Sequence, residues 1–297
     1  METRTINIIK NLDPREVSWA SAFISNSNLP FIAVNQEFSP QTAINIFIGD
    51  TIPWGDIGIH SSFIVYYLAA TSFNQILRSN KTAKEIEEEN IRKADLVVIT
   101  SAAELNLLKQ AKLAVDFEKI IVGGFPVDRK RYLQYAETKK KADVCFVSDL
   151  SDVKNLAFQY ELIPFLKNHG YTVSHFHSNE TEEDLGMKKL GCKVYKRLPH
   201  EKFIKKLAEH RFCINVSKYE SLSLSSIEAA LLGCTPICPA HSGFLDWCNP
   251  GNFYASQDCN AVLSTLRSAK AMGSEEMMKY DHLTFYEKII STYKSNR

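Results

Sequence analysis

Short apolar runs of four or five residues alternate with amphipathic or charged segments along most of the sequence. In the first half, the apolar runs predict strands at residues 6–9, 31–34, 44–48, 63–67, 96–99 and 119–122. The segments 84–93 and 102–113 predict helices, and Ser101 is the predicted N-cap of the second helix. Buried strands that alternate with helices are typical of a parallel sheet covered on both faces. The first half is therefore predicted to form an α/β domain.

A polar and charged stretch at 127–142, VDRKRYLQYAETKKKA, interrupts this alternation, which then begins again. Strands are predicted at 144–147, 172–176, 192–195 and 212–216, and helices at 155–167, 201–209 and 285–293. We therefore expect an N-terminal domain over 1–127, a linker over 128–142 and a second domain over 143–280.

The stretch 219–239, YESLSLSSIEAALLGCTPICP, combines a Ser-rich loop, a helix and a strand. Leu224 and Ile227 begin a pattern of apolar residues at helical spacing. Gly233 is the predicted end of this helix, and the run 235–238 is predicted to be a buried strand.

The carboxylates of this stretch allow two interpretations. Ser225 and Glu228 fit a capping box, which leaves Glu220 as a solvated loop acid. Alternatively, the start of the helix offers free amides to an anion, and Glu220 and Glu228 accept hydrogen bonds from ribose and sugar hydroxyls. The strand 212–216 ends just before the stretch, and ligands of doubly wound sheets bind at the carboxyl ends of strands. This position favours the second interpretation.

Composition excludes several classes of protein. Lys+Arg 35 against Asp+Glu 34 gives a net charge of +1, so no global field favours nucleic acid as a partner. No apolar run approaches the ~20 residues of a membrane span, and the first residues, METRTINIIKNLDPRE, do not follow a signal-peptide pattern. The seven cysteines are odd in number and form no CxxC pair, which predicts reduced, buried thiols. We expect a cytoplasmic protein without a transmembrane segment.

Two histidines of one predicted strand are candidate metal ligands. His175 and His177 are two residues apart and so share one face of the strand. No third ligand stands in register with them, and two histidines without a third ligand are more often structural. We therefore expect no metal site.

The stretch 219–239 also resembles a known family. Glu220 and Glu228, followed by AALLGCTPI, resemble the Glu-x7-Glu signature of retaining GT-B glycosyltransferases, glycosyltransferase family 4 in particular. Further segments resemble the family in the same order: ADLVVITS at 94–101, KIIV and GFPVD within 119–128, Lys154-Asn155, and RLPHE at 197–201. These matches extend over most of residues 94–246.

The resemblance implies an α/β fold of GT-B architecture, with two facing Rossmann-like doubly wound parallel-sheet domains and an interdomain cleft. The first domain would bind the acceptor and the second the nucleotide sugar, while a C-terminal helix over 281–297 would cross back to the first. Glu228 would hold the ribose, Glu220 the donor sugar near the reacting carbon, and Lys154 the diphosphate. Glu220 and Lys154 would thus be the catalytic pair. The remaining donor-binding positions would be Ser221, Leu222 and Ser223.

The implied reaction moves a sugar from a nucleotide-diphosphate sugar to a glycan, lipid-linked or protein acceptor, with no metal and no further cofactor. Family habit slightly favours GDP-mannose over UDP-sugars as the donor. Three residues of the first domain are candidates for the acceptor side: Asp50, His60 and Trp54.

The sequence also departs from the family. Asp149 stands where the family has an arginine, and the loop 221–223 reads Ser-Leu-Ser in place of Gly-Phe-Gly. A histidine expected after the strand 63–67 is missing. An alternative function therefore stays open, a catalytically degenerate homologue that binds a nucleotide or sugar, or acts as a scaffold.

Overall fold

The structure is a computed structural model that describes residues 6–10, 23, 27, 29–35, 42–48, 54, 62–68, 81–177, 183–273 and 275–295. The chain divides into two compact units, Met1–Asp128 together with Lys279–Arg297, and Arg129–Met278. Each unit contains a six-stranded sheet whose described strand pairs are all parallel. The predicted fold class, α/β with two doubly wound parallel sheets, is confirmed.

The first sheet has the strand order β2-β1-β3-β4-β5-β6. Its strands are β1 (Ile6–Lys10), β2 (Ile32–Asn35), β3 (Ile44–Ile48), β4 (Phe63–Leu68), β5 (Leu96–Ile99) and β6 (Ile120–Val122). Each lies within one residue of the prediction, because continuous apolar runs mark strands that are buried on both faces. Two helices follow the prediction less closely, α1 (Lys81–Lys93) and α2 (Ala102–Gln110). Ser101 caps α2 as predicted, accepting the N–H of Glu104 at 3.2 Å.

The second sheet has the order β12-β11-β10-β7-β8-β9. Its unit contains, in chain order, α3 (Arg129–Leu133), β7 (Ala142–Val147), α4 (Leu156–Asn168), β8 (Val173–His177), α5 (Glu183–Lys189), β9 (Lys193–Lys196), α6 (His200–Leu207), β10 (His210–Ile214), α7 (Leu224–Leu231), β11 (Thr235–Pro239), β12 (Phe253–Tyr254) and α8 (Cys259–Ser268). The chain builds β7, β8 and β9 toward one edge and then β10, β11 and β12 toward the other. The order of strands therefore reverses between β7 and β10.

The C-terminal helix α9 (His282–Ser295) belongs to the first unit. The backbone N–H of His282 donates to the carbonyl of Val127 at 3.0 Å, and Val127 donates to the carbonyl of Tyr280 at 2.9 Å. The ring of Phe285 meets the ring of Phe23 edge to face. These contacts fix the tail to the first unit, although the chain reaches it only after the whole of the second.

The stretch predicted as a linker is a packed part of the second unit from Arg129 onward. It contains α3, and the Tyr132 side chain is fully buried. Lys140 Nζ donates to the carbonyls of Ala208 and Leu232, both at 3.0 Å, and so caps the carboxyl ends of α6 and α7. The many charges of the stretch predict solvent exposure, yet Tyr132 and Lys140 have partners inside the unit.

Two other sequence expectations can be compared with the described part of the chain. All seven cysteines are free and buried. Burial raises the pKa of the Cys192 and Cys234 thiols to about 12, so these thiols stay protonated and unreactive near neutral pH. Among the described residues, no helix has the length and apolar character needed to cross a membrane.

Candidate functional site

The candidate site lies where the strand order of the second sheet reverses. β7 and β10 are parallel neighbours, with Cys145 opposite Cys213 in register. Lys154 lies in the loop that follows β7, and Glu220 lies in the loop that follows β10. Since parallel strands end at the same edge of a sheet, the two loops come together. A reversal point of this kind is the usual ligand position in doubly wound sheets.

Lys154 and Glu220 are in direct contact. The Lys154 ammonium forms an ion pair with Oε1 of Glu220, and the Ser217 hydroxyl donates to the same oxygen at 2.9 Å. Both charged side chains are largely buried, with 26% and 13% of their surface exposed. The structure thus brings together the two residues predicted to be catalytic, and their charges compensate each other.

Buried polar side chains shape the loop between β10 and α7. Asn215 Nδ2 donates to the Ser223 hydroxyl at 2.9 Å, while its Oδ1 accepts the N–H of Ser217, also at 2.9 Å. The hydroxyls of Ser223 and Ser226 are 2.8 Å apart. Ser223 has a φ of 63°, a left-handed conformation that is costly for a residue with a side chain. The hydrogen bonds to Asn215 and Ser226 offset that cost and fix the path of the loop.

The helix of the site begins two residues earlier than the capping box predicts, since its N-cap is Ser223 and not Ser225. Ser223 is the N-cap of α7 and makes no side-chain capping bond. Ser225 lies inside the first turn, and its hydroxyl donates to the Val147 carbonyl at 3.3 Å. The capping box of Ser225 and Glu228 is therefore wrong, because Glu228 has a different partner.

Glu228 is buried on α7 and is held from the segment that precedes β7. The Tyr132 hydroxyl donates to Oε1 of Glu228 at 2.6 Å. His200 Nε2, at the start of α6, lies 3.7 Å from the same oxygen. The His200 ring stacks on Phe203 and meets the ring of Tyr132 edge to face. Glu228 is therefore part of a fixed aromatic and polar environment rather than a solvated helix end.

A buried glycine lets a third loop approach the site. The N–H of Gly243, in the 3₁₀ turn Ser242–Asp246, donates to the carbonyl of Glu220 at 3.0 Å. A Cβ at Gly243 would lie 1.7 Å from the carbonyl oxygen of Ser221. Only glycine permits this approach, so the loop after β11 supports the backbone on which Glu220 stands.

A buried hydrogen-bond chain through Gln159 and His175 fixes the backbone of Lys154. Gln159 Nε2 donates to the Lys154 carbonyl at 2.7 Å, so Oε1 of this amide is free to accept from His175 Nε2 at 2.9 Å. His175 consequently carries its proton on Nε2. Burial, with a smaller contribution from His177, lowers the His175 pKa to about 3. The imidazole is therefore neutral near neutral pH and serves as a donor.

Metal-ligand geometry is absent from the part of the chain that the structure describes, where no three His, Cys, Asp or Glu side chains could share an ion. His175 Nε2 already donates to Gln159. The interpretation of His175 as a structural residue agrees with this contact.

Of the three acceptor-side candidates, Trp54 lies within the described residues. Asp50 and His60 lie outside the described residues. Trp54 is half-buried, donates from Nε1 to Asn90 Oδ1 at 2.8 Å, and packs beside Phe47. These contacts anchor Trp54 to α1 and the core of the first unit, and its role toward an acceptor stays a prediction. Asp149 is half-buried in the loop after β7.

Several residues of the site were missed in the sequence. Tyr132 stands in the charged stretch that the sequence predicts to be a linker, although a tyrosine and a leucine there mark an apolar face. Asn215 is the fourth residue of the predicted strand 212–216, where a polar residue between apolar neighbours is a usable signal. Gln159 and Gly243 carry no local signal, because their roles depend on which strands become neighbours.

Comparison with protein-family models finds no match, and neither does a search of curated proteins. Solved structures do match. Anabaena HepE in complex with UDP and glucose has a TM-score of 0.72 at 14% identity, over 98% of this chain and 99% of HepE. Sucrose-phosphate synthase from Thermosynechococcus elongatus has a TM-score of 0.67 at 13% identity, over 86% of this chain and 73% of that one. A glycosyltransferase from Rickettsia africae has a TM-score of 0.65 at 11% identity, over 98% and 97%.

At these identities the comparisons establish a shared fold. The predicted GT-B type of fold is confirmed, since these structures match this chain, with its two parallel sheets, over 86–98% of its length at TM-scores of 0.65–0.72. The small preference for GDP-mannose over UDP-sugars finds no support, because the ligands named with the HepE structures are UDP, glucose and UDP-glucose.

Proposed function

We propose that this protein transfers a sugar from a UDP-sugar to a hydroxyl group of a glycan or glycoconjugate acceptor, with retention of anomeric configuration. The observation that carries the proposal is the contact between Lys154 and Glu220 at the strand reversal of the second sheet. Glu228, eight positions along the chain, lies on the helix that follows the same loop. The family resemblance singles out these same three residues, and we propose that they form one site.

The donor is proposed to be a UDP-sugar, with UDP-glucose as the first compound to test. HepE, whose chain is matched over nearly its whole length, was solved with UDP and with UDP-glucose. The HepE complexes support this base and this sugar by analogy of fold, and both belong to the proposal.

The charges of the site suit this chemistry. Transfer breaks the bond between the anomeric carbon and a phosphate oxygen, while the acceptor oxygen forms the new bond and its hydroxyl proton passes to the departing diphosphate. Positive charge develops on the sugar ring and negative charge on the departing diphosphate. Lys154 would stabilise the diphosphate, and Glu220 would then be released to accept a hydroxyl of the donor sugar. Glu228 would accept a hydroxyl of the ribose. The site would need no metal, since Lys154 and the amides at the start of α7 supply the positive potential.

A second candidate function rests on Asp149. This carboxylate occupies the position at which the family has an arginine, so the loop after β7 carries one cation fewer and one anion more. A site with weaker charge stabilisation would bind the nucleotide sugar without transferring it. A degenerate homologue that acts as a binding or scaffold protein is therefore the alternative.

Calorimetric titration with UDP, UDP-glucose, GDP and GDP-mannose tests the donor, and release of UDP from UDP-glucose in the presence of acceptor mixtures tests the reaction. We expect UDP to bind more tightly than GDP. We also expect Glu228→Gln to lower the affinity for UDP. Glu161→Gln, an exposed change on α4, is the matched control.

The outcomes separate the two functions. UDP binding with sugar transfer supports the transferase. UDP binding without transfer or donor hydrolysis across acceptor classes supports the degenerate homologue. Absence of binding to any of the four nucleotides would contradict both.

A further inference from the structure

We infer that Tyr132 is a positioning residue that holds the carboxylate of Glu228 in the orientation required by the ribose of the donor. The inference rests on the proposed function, since it assigns a new residue to the same nucleotide site. Tyr132 stands outside the segments that resemble the family, and its role follows from its contacts alone.

The hydrogen bond to Glu228 is short and protected from solvent. Tyr132 is fully buried, and its hydroxyl lies 2.6 Å from Oε1 of Glu228. His200 Nε2 lies 3.7 Å from the same oxygen, beyond hydrogen-bond distance. In the part of the chain that the structure describes, no hydrogen bond reaches Oε2 of Glu228. One oxygen of the carboxylate is therefore held by the protein, while the other remains an acceptor for a ligand hydroxyl.

The tyrosine itself cannot easily move. Its neighbour Arg131 donates through Nη2 to Glu201 of α6 at 2.8 Å. Farther along the segment, the carbonyl of Ala136 lies so close to Gly233 that a Cβ there would approach it to 2.5 Å. Lys140 binds the carboxyl ends of α6 and α7. The segment 129–140 is thus fixed along α7, and Tyr132 holds Glu228 from a rigid support.

The bond sets how the carboxylate meets a ribose. Glu228 is buried, so Oε1 has little access to water in place of the tyrosine hydroxyl. Without that hydroxyl, the carboxylate would be free to rotate toward His200 Nε2, which lies 3.7 Å from Oε1. This rotation would move Oε2 of Glu228 out of the orientation in which the hydrogen bond from Tyr132 holds it. Removal of the Tyr132 hydroxyl should therefore weaken the binding of ribose hydroxyls and leave the base and phosphate contacts intact.

The test compares UDP with 2′,3′-dideoxyuridine diphosphate, which lacks both ribose hydroxyls. Affinities are measured by calorimetry for the unmodified protein, Tyr132→Phe and Tyr135→Phe. Tyr135 lies in the same segment, and its ring faces the ammonium of Lys205, so its substitution controls for changes to the segment. We expect Tyr132→Phe to weaken UDP about tenfold, the usual effect of losing a hydrogen bond to a charged group. The affinity for the dideoxy compound should not change.

Equal weakening of both nucleotides by Tyr132→Phe, or no weakening of either, would overturn the assignment while leaving the proposed function in place. An unmodified protein that binds neither nucleotide would instead overturn the proposed function, and this assignment with it. A loss of UDP affinity confined to Tyr132→Phe supports the assignment.

A second variant keeps the test decisive if Tyr132→Phe folds poorly. In Glu228→Gln, the amide oxygen can accept from Tyr132, but the other amide atom is a donor and no longer accepts from ribose. We expect this variant to bind UDP and the dideoxy compound with similar affinity. In the Glu228→Gln background, Tyr132→Phe should then change UDP affinity less than about threefold. A full tenfold effect in that background would show that Tyr132 acts elsewhere.

Discussion

Lys154 and Glu220 lie 66 residues apart in the sequence, and their side chains form an ion pair at the carboxyl ends of two neighbouring strands. The pair satisfies the lysine and the carboxylate before any ligand is present. A bound diphosphate would compete with Glu220 for the lysine, so donor binding should separate the pair. The first two predictions follow from this exchange of partners.

Glu220→Gln should lower sugar transfer at least a hundredfold, since it removes a charged acceptor from the reacting sugar. UDP affinity should change less than about threefold, because the amide keeps the size of the side chain and Lys154 keeps its access to the diphosphate. UDP release and UDP binding are measured on the same preparation. An equal loss of UDP affinity would contradict the role of Glu220 at the sugar.

Lys154→Ala should lower the affinity for UDP about tenfold and leave the affinity for uridine unchanged, because the ammonium would contact only the diphosphate. The difference should shrink as salt is raised, since the contact is electrostatic. Lys218→Ala is the control, because Lys218 pairs with the exposed Asp152 in the adjoining loop. Equal weakening of UDP and uridine would argue against a phosphate contact.

Gly243→Ala should destabilise the protein by about 2–4 kcal/mol and reduce donor binding, because its Cβ would overlap the carbonyl of Ser221. Gly251→Ala is the matched control in the following turn, where the nearest atom to a Cβ is at an ordinary 3.4 Å. Urea unfolding and UDP titration measure the two effects. A stability of Gly243→Ala equal to that of Gly251→Ala would contradict the close approach.

Lys140→Met should lower the free energy of unfolding by about 1–3 kcal/mol, since it removes a charged donor from the carboxyl ends of two helices. Lys139→Met changes an exposed neighbour and should have little effect. Both are compared by urea unfolding. If the two substitutions cost the same, the contacts of Lys140 contribute nothing to stability.

Stability should depend on pH through His175. Its pKa is about 3 in the folded protein and near 6.5 in an unfolded chain, so between these values only the unfolded state binds the proton. The contribution of neutral His175 to the free energy of unfolding is complete above pH 6.5. It is lost as the pH falls, and the loss is about 2 kcal/mol at pH 5. His175→Asn should reduce this loss, whereas His169→Asn, at an exposed histidine, should retain it. Urea unfolding between pH 5 and 7.5 measures the slope, and an unchanged slope in His175→Asn would contradict the assignment.

The sequence predicted the strands more closely than the loops and caps. Runs such as Leu96–Ile99 are apolar throughout because both faces of the sheet are covered, and this pattern depends on no distant residue. The start of α7 was misplaced because Ser225 and Glu228 have the spacing of a capping box, which is a local pattern. Tertiary contacts to Val147 and Tyr132 use those side chains instead.

The sequence could indicate those residues of the candidate site that lie in contiguous motifs. Glu220, Glu228 and Lys154 could be identified from their surroundings in the sequence, and the structure places Lys154 against Glu220. Tyr132 could not be assigned, since its partner lies 96 residues away and nothing in the charged segment shows which helix will cover it.

The segment 129–140 also determines how the second unit of this chain can be exchanged with that of another protein of the same fold. Under the proposed function, exchange of second units between proteins of this fold would move the donor preference with them. A junction at residue 142, where the sheet of the second unit begins, would separate Glu228 from the tyrosine that holds it and two helices from their shared lysine. A junction before Arg129 transfers the sheet, the site and its support together. The natural module for such an exchange is therefore about thirteen residues longer at its start than the sheet alone suggests.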